Sequence, residues 1–127
     1  MRKDVMVGGR TVPMRTTALT PRLYRHKFGR DLLRDLNRLR VLHGKMADLP
    51  EDATEAERQD AQLSVLDLEM FEDVAYIMAR QADPEHVPDD PDTWLDGFGT
   101  FSIYEILPQI LDLWQQNLAT TSKPKKK

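Results

Sequence analysis

The chain has 127 residues, 40% of them hydrophobic and 7% aromatic, with no cysteine and a formal net charge of −3. This length suits one domain with a single modest core. Disulfides, thiolate metal ligands and thiol nucleophiles are excluded, and no apolar run approaches the ~20 residues of a membrane span.

The start, MRKDVMVGG, is basic but lacks the apolar region of a signal peptide, so a cytosolic protein is expected. The small net charge conceals segregation. Residues 1–45 carry 12 Lys/Arg and 3 Asp/Glu, residues 46–118 carry 2 and 18, and residues 119–127 add 4 lysines. Either the two halves pack together and neutralise each other, or copies associate head to tail, or a charged partner is bound.

Val5 and Val7 precede Gly8-Gly9, and Val12 and Met14 follow. Alternating apolar residues around a two-residue Gly-Gly turn predict a β-hairpin over about 4–15. Pro13 restricts its strand to an edge, and a two-stranded ribbon must lie against something to be stable.

A helical region follows over about 21–43. Thr20 is the expected N-cap, with Pro21 at the first helical position. Tyr24, Phe28, Leu32, Leu36, Leu39 and Leu42 recur at three- and four-residue spacing and form one apolar stripe. Lys27, Arg30, Arg34 and Arg38 fall on the opposite side. Gly44 suits the helix stop. Gly29 either breaks the run into two helices or allows a close helix contact.

After a linker around Pro50, Thr54 and Glu57 form a capping-box pattern that opens a helix over about 54–82. Leu63, Leu66, Met70, Val74 and Ile77 form one stripe, and Leu68, Phe71, Ala75 and Met78 an adjacent one. So wide an apolar arc predicts a central helix covered by two neighbours. Asp67 falls inside that arc. It either pairs with an arginine of the neighbouring helix or is a functional carboxylate with a raised pKa.

An acidic, proline-rich loop leads to a short helix over about 91–98, started by Asp90-Pro91. The last helix is expected over about 102–118, with Ser102 and Glu105 as a second capping box. Ile103, Leu107, Ile110, Trp114 and Leu118 form its apolar face, and Pro108 predicts a kink near Tyr104. Residues 119–127 have no apolar residue beyond Ala119 and are expected to be disordered. The fold class is therefore mainly α: a single domain over 1–118 with a short N-terminal β-hairpin and a disordered basic C-terminal tail.

Signatures of chemistry are sparse. The glycines at 8–9 and 97–99 lack the spacing of a phosphate-binding loop. His26, His43 and His86 have no metal-ligand spacing and read as surface residues. The acidic stretches at 51–57 and 89–92 lack the alternating oxygens and glycine of a calcium loop. No cofactor, metal site or catalytic residue is expected. The basic stripe of Lys27, Arg30, Arg34 and Arg38 suits phosphates or an acidic partner. No base-reading constellation accompanies it, so nucleic acid is disfavoured. Trp94, Phe98, Tyr104 and Trp114 are either core residues or aromatic anchors for a partner. Trp94, beside the acidic loop, is the expected exception to core packing.

Three stretches together carry a family resemblance: TVPMRTTALTPRLYRHKFGRDLLRDL, LDLEMFEDVAYIMARQADP and WLDGFGTFSIYEILPQILDLWQQNLATTSKPKKK. The chain resembles a tail assembly chaperone of long-tailed phages, of the type found in prophages of Gram-positive bacteria. The resemblance covers most of the chain and rests on overall pattern, not on a catalytic motif. It implies an accessory protein and not an enzyme. Such a chaperone coats the tape measure protein, keeps its long apolar helices soluble and recruits tail tube subunits. It acts in the host bacterial cytoplasm and is absent from the mature virion. The resemblance also implies a short form of a frameshift pair, with the lysine codons at the end forming a slippery site. The kinked C-terminal helix, next to Trp94 and Phe98, is the expected groove wall, and the segregated charges suit self-association along a filamentous partner. The rival readings are a structural head–tail connector and a small nucleic-acid-binding regulator.

Overall fold

A computed structural model of the chain describes residues 1–47, Asp52, Thr54 and 65–122. Among the described residues it has one antiparallel hairpin, β1 (Arg2–Val7) and β2 (Arg10–Arg15), and five helices. These are α1 (Thr20–Phe28), α2 (Leu32–Ala47), α3 (Val65–Ala82), α4 (Pro91–Asp96) and α5 (Ile103–Ser122). The mainly α class with an N-terminal hairpin is as the sequence predicts.

The hairpin follows from its turn. Gly8 and Gly9 have φ of 55° and 88°, the positive values that a tight primed turn requires at both central positions. The register pairs Val5 with Val12 and Val7 with Arg10, so Val5, Val7, Val12 and Met14 share one face, and all four are buried. The other face is wet. α5 holds the outer edge of β1: the Gln109 side-chain amide accepts from Met6 N at 2.9 Å and donates to Met6 O at 3.1 Å. Gly8 N donates to Glu105 Oε1 at 2.9 Å. Gln109 thus stands in for a third strand. Pro13, opposite Asp4, has the same register parity as Met6, so its missing N–H faces away from β1 and forfeits no ladder bond.

The predicted helix over 21–43 is two helices. Gly29 adopts φ 70°, ψ 20°, and its N–H caps α1 on Arg25 O at 2.8 Å. Asp31 then starts α2, its carboxylate accepting from Leu33 N at 3.0 Å. The stripe survives the break: Tyr24, Leu32, Leu36 and Leu39 are buried, with Phe28 and Leu42 half-buried. Two boundary expectations are corrected. Thr20 is not the N-cap, because its hydroxyl is engaged with Thr17 N and Gln81 Oε1, and α1 begins from Leu19 without a side-chain cap. Gly44 does not stop α2, which continues to Ala47.

α3 is the centre. It packs on β2, α1, α2, α4 and α5, and residues 73–79 are buried all round, more completely than two neighbours would achieve. Leu68 is the exception on its stripe and is exposed. Thr54 is exposed. Glu57 and Leu63 lie outside the described residues, and with them the predicted capping box and the start of this helix. α4 begins as expected, with Asp90 accepting from Thr93 N at 3.0 Å.

Half of the capping box predicted for α5 forms. Ser102 Oγ accepts a long bond from Glu105 N at 3.4 Å, but the Glu105 carboxylate goes to the hairpin turn instead of returning to Ser102. α5 runs on through Pro108, so the proline forfeits one bond to the Tyr104 carbonyl without ending the helix. Residues 119–122, expected to be disordered, are helical; residues 123–127 lie outside the described residues.

Gly29 and Gly44 carry opposite expectations. Neither Gly29 nor Gly44 has an atom within 4 Å of an added Cβ, so only backbone conformation decides. Gly29→Ala should destabilise by ~1–2 kcal/mol, because a left-handed residue gains a Cβ. Gly44→Ala, in an exposed helix interior, should stabilise by ~0.5–1 kcal/mol. Urea unfolding followed by circular dichroism reads both, and shifts of the same sign would contradict the αL assignment.

Candidate protein-docking surfaces

The stripe of cations separates into structural and free members. Arg30, in the corner between α1 and α2, is structural. Its guanidinium donates to Asp35 at 3.0 Å, Asp73 at 2.6 Å and the Tyr24 hydroxyl at 3.1 Å, and that hydroxyl donates to Asp35 at 2.6 Å. Asp35, Asp73 and Tyr24 are buried. Burial pushes the Asp73 carboxyl above its usual range, and Arg30 pulls it back. Burial also raises the Tyr24 hydroxyl, helped by its bond to Asp35. Burial works against the Arg30 charge, but the bonds to Asp73, Tyr24 and Asp35 outweigh it and hold its pKa up.

Arg38 pairs with Asp67 at 2.7 Å, and this bond raises the arginine pKa. Asp67, an acid in an apolar arc, is therefore a counterion between α2 and α3. Lys27 sits over the Tyr76 ring and donates to the Asp89 carbonyl, while Arg80 holds Val87 O and the Asp89 carboxylate at 3.2 Å. These two cations tie the acidic loop to α1 and α3. Arg34 is exposed and makes no ion pair among the described residues. Ion pairs between the two halves thus neutralise part of the segregated charge, through Lys3–Asp112, Arg30–Asp73 and Arg38–Asp67.

The aromatic residues divide as well. Trp94 is buried, with ring centroids 5.7 Å from Tyr76, 5.1 Å from Phe98 and 5.4 Å from Phe101. It is a core residue, which corrects its expected exception. Phe98 is half-buried in the same cluster, with the Arg10 guanidinium 4.6 Å from its centroid. Tyr104 is 69% exposed. Trp114 is buried but forms part of a surface cleft.

That cleft lies between α2 and α5. It measures about 220 Å³ and is lined by Leu33, Leu36, Leu111 and Trp114, with Asn37, Arg40 and Gln115 at its rim. Leu33 is 52% exposed. The C-terminal helix does wall a groove, but Leu111 and Trp114 line it where Trp94 and Phe98 were expected. Leu33 and Leu111 were missed because they lie off the main stripes. A leucine one residue outside a complete apolar stripe was the available signal.

A second, larger groove of about 820 Å³ lies on the other side of α2. Arg30, Arg34, Arg38 and Lys45 bound it, with Asp31 and Asp35 beside them, and Val41, Leu42 and Met70 contribute apolar surface. The structure thus brings three of the four predicted basic residues to one groove and places Lys27 elsewhere. Among the described residues no cluster of His, Cys, Asp or Glu could hold a metal ion, and no helix is long and apolar enough to cross a membrane. His86 is bound to Asp83 at 3.0 Å, His26 is exposed and His43 half-buried. Comparison with models of protein families, with curated proteins and with solved structures finds no match.

Arg30→Ala should destabilise by about 2–3 kcal/mol. That is below the ~3–5 of a fully buried pair, because Arg30 keeps 34% of its side-chain surface. Arg34→Ala should stay within about 0.5 kcal/mol of wild type. The deficit of Arg30→Ala should shrink between about pH 7 and pH 5. Asp73 already has a raised folded pKa, and losing its cation raises it further. Its ionised form then opposes folding at neutral pH, and protonation relieves this as pH falls. Thermal melts across that range check both, and a pH-independent deficit would contradict the Asp73 assignment.

Proposed function

We propose that this chain is a tail assembly chaperone: a non-enzymatic, protein-binding module acting in the host bacterial cytoplasm during phage tail morphogenesis. In this reading it binds apolar helices of the tape measure protein, keeps them soluble and recruits tail tube subunits, without remaining in the virion.

The observation that carries the reading is the cleft between α2 and α5. Holding an aggregation-prone helix requires apolar surface that stays accessible on a folded, water-soluble body. Leu33 supplies it, with Leu111 and Trp114 at the cleft wall and Asn37, Arg40 and Gln115 as a polar rim. The wall is rigid, because α2 is locked to α3 through Arg38–Asp67 and the Arg30 cluster, and α5 to the hairpin through Gln109. A preformed groove binds without the ordering cost of a mobile one. The resemblance of the three quoted stretches supplies the identity of the occupant.

Co-expression with the tape measure protein of the same gene cluster tests the proposal. Wild-type chain should raise the soluble fraction of that protein several-fold. Leu33→Asp, an exposed substitution that leaves the core intact, should weaken the complex about tenfold, equivalent to ~1.4 kcal/mol. A soluble fraction unchanged by the wild-type chain would reject chaperone function. Full activity of Leu33→Asp would reject this cleft as the site.

A further inference from the structure

The larger groove beside α2 has a complement on the same molecule. Its rim carries Arg34 and Lys45, which make no ion pair among the described residues, and its floor exposes Val41. Across α3 lies a ridge of opposite charge. Leu68 is exposed there, flanked by Glu69 and Glu72; partial burial raises the Glu72 carboxyl, and the charge of Asp92 of α4 adds to it. None of these three acids has a cation partner among the described residues. Glu72 is half-buried and faces the like charges of Asp73, Glu69 and Asp92. An incoming cation would relieve that repulsion.

The two surfaces cannot meet within one chain. Met70 contributes to the groove, and Glu72, two residues on, lies about 160° away around the helix. Groove and ridge therefore sit on different sides of α3. Two unlike patches on different sides make a heterologous contact, which extends from copy to copy until it closes as a ring or runs on as a filament.

We propose that the cationic groove of one copy takes the Leu68–Glu69–Glu72 ridge of a second copy in a head-to-tail contact. Leu68 meets the apolar floor at Val41 and Met70, and the carboxylates meet Arg34 and Lys45. Exposed ion pairs of this kind contribute little each, but they orient the encounter and make it strongly salt-dependent. The contact is small, so free copies should associate with a Kd on the order of 100 μM at low salt. Copies held side by side on one long partner would associate through their raised effective concentration. The inference does not rest on the identity of that partner, and its test uses this chain alone.

Sedimentation velocity over about 20 μM to 1 mM checks it. In about 50 mM salt the mean sedimentation coefficient should rise with concentration beyond that of a dimer, and in about 500 mM it should stay that of a monomer. Arg34→Glu/Lys45→Glu keeps the ridge and loses the groove charge; Glu69→Lys/Glu72→Lys does the reverse. Each alone should remain monomeric, and an equimolar mixture should associate again. Glu69→Lys alone, at an exposed position, serves where the double variant melts early, and should weaken association at least threefold. A salt-independent monomer, an association that stops at a dimer, or a mixture that stays monomeric would each overturn the proposal.

Discussion

The Arg30 guanidinium holds the geometry on which the remaining surfaces depend. Gly29 turns the chain out of α1, Asp31 starts α2, and Arg30 lies between them with its side chain directed inward. One group then bonds the Tyr24 hydroxyl of α1, Asp35 of α2 and Asp73 of α3. The two buried carboxylates have no other ion pair among the described residues, and an uncompensated buried carboxylate is among the larger penalties a fold can carry. The cluster therefore specifies direction more than it adds stability. A core of Leu32, Leu36 and Leu39 would tolerate α2 at several angles over α3. A planar donor that must reach two carboxylates and a hydroxyl tolerates far fewer.

Much of this architecture was legible in the sequence, because local chemistry and the final packing agree. Gly8-Gly9 between alternating valines has few alternatives to a hairpin, and the wide apolar arc of α3 has few alternatives to a central position. What was not legible is where local signals are outvoted by long-range partners. Thr20 has the chemistry of an N-cap, but Gln81, sixty-one residues away, takes its hydroxyl. Glu105 has the chemistry of a capping box, but the Gly8 amide, ninety-seven residues away, takes its carboxylate. Gly44 resembles a stop signal, but nothing near it requires a left-handed residue. Gly29 left a helix break and a close helix contact both open, and its left-handed backbone decides for the break.

The candidate site was read less completely, for a related reason. Sequence pattern identifies charges and aromatics as types, whereas their availability depends on what folds against them. Asp67 and Asp73 lie six residues apart on α3 and hold Arg38 and Arg30, so two of the four cations of the predicted stripe are already engaged inside the domain. Trp94 and Phe98 meet Tyr76 and Phe101 in one aromatic cluster. Surface availability passes instead to residues without an eye-catching chemistry: Leu33, Leu111, Val41 and Arg34. A leucine just off an apolar stripe carries little information alone, and acquires it when the neighbouring helix leaves it half in water.

This sorting leaves two unlike surfaces around one helix. α2 presents an apolar cleft on the α5 side and a cationic groove on the α1 and α3 side, and Asn37 borders both. Apolar burial is non-directional and tolerant of sequence, which suits holding many different turns of a long helical partner. Ion pairs at exposed rims are weak individually, screened by salt and sensitive to placement, which suits register between neighbouring copies. In the proposed reading, a protein that coats a long partner would use both properties on different faces, so that each copy could hold the partner and its neighbour at once. Three cations of the basic half pair with acids of the acidic half, Lys3 with Asp112, Arg30 with Asp73 and Arg38 with Asp67, while Arg34, Lys45, Glu69 and Glu72 make no ion pair among the described residues and lie on two patches of opposite charge.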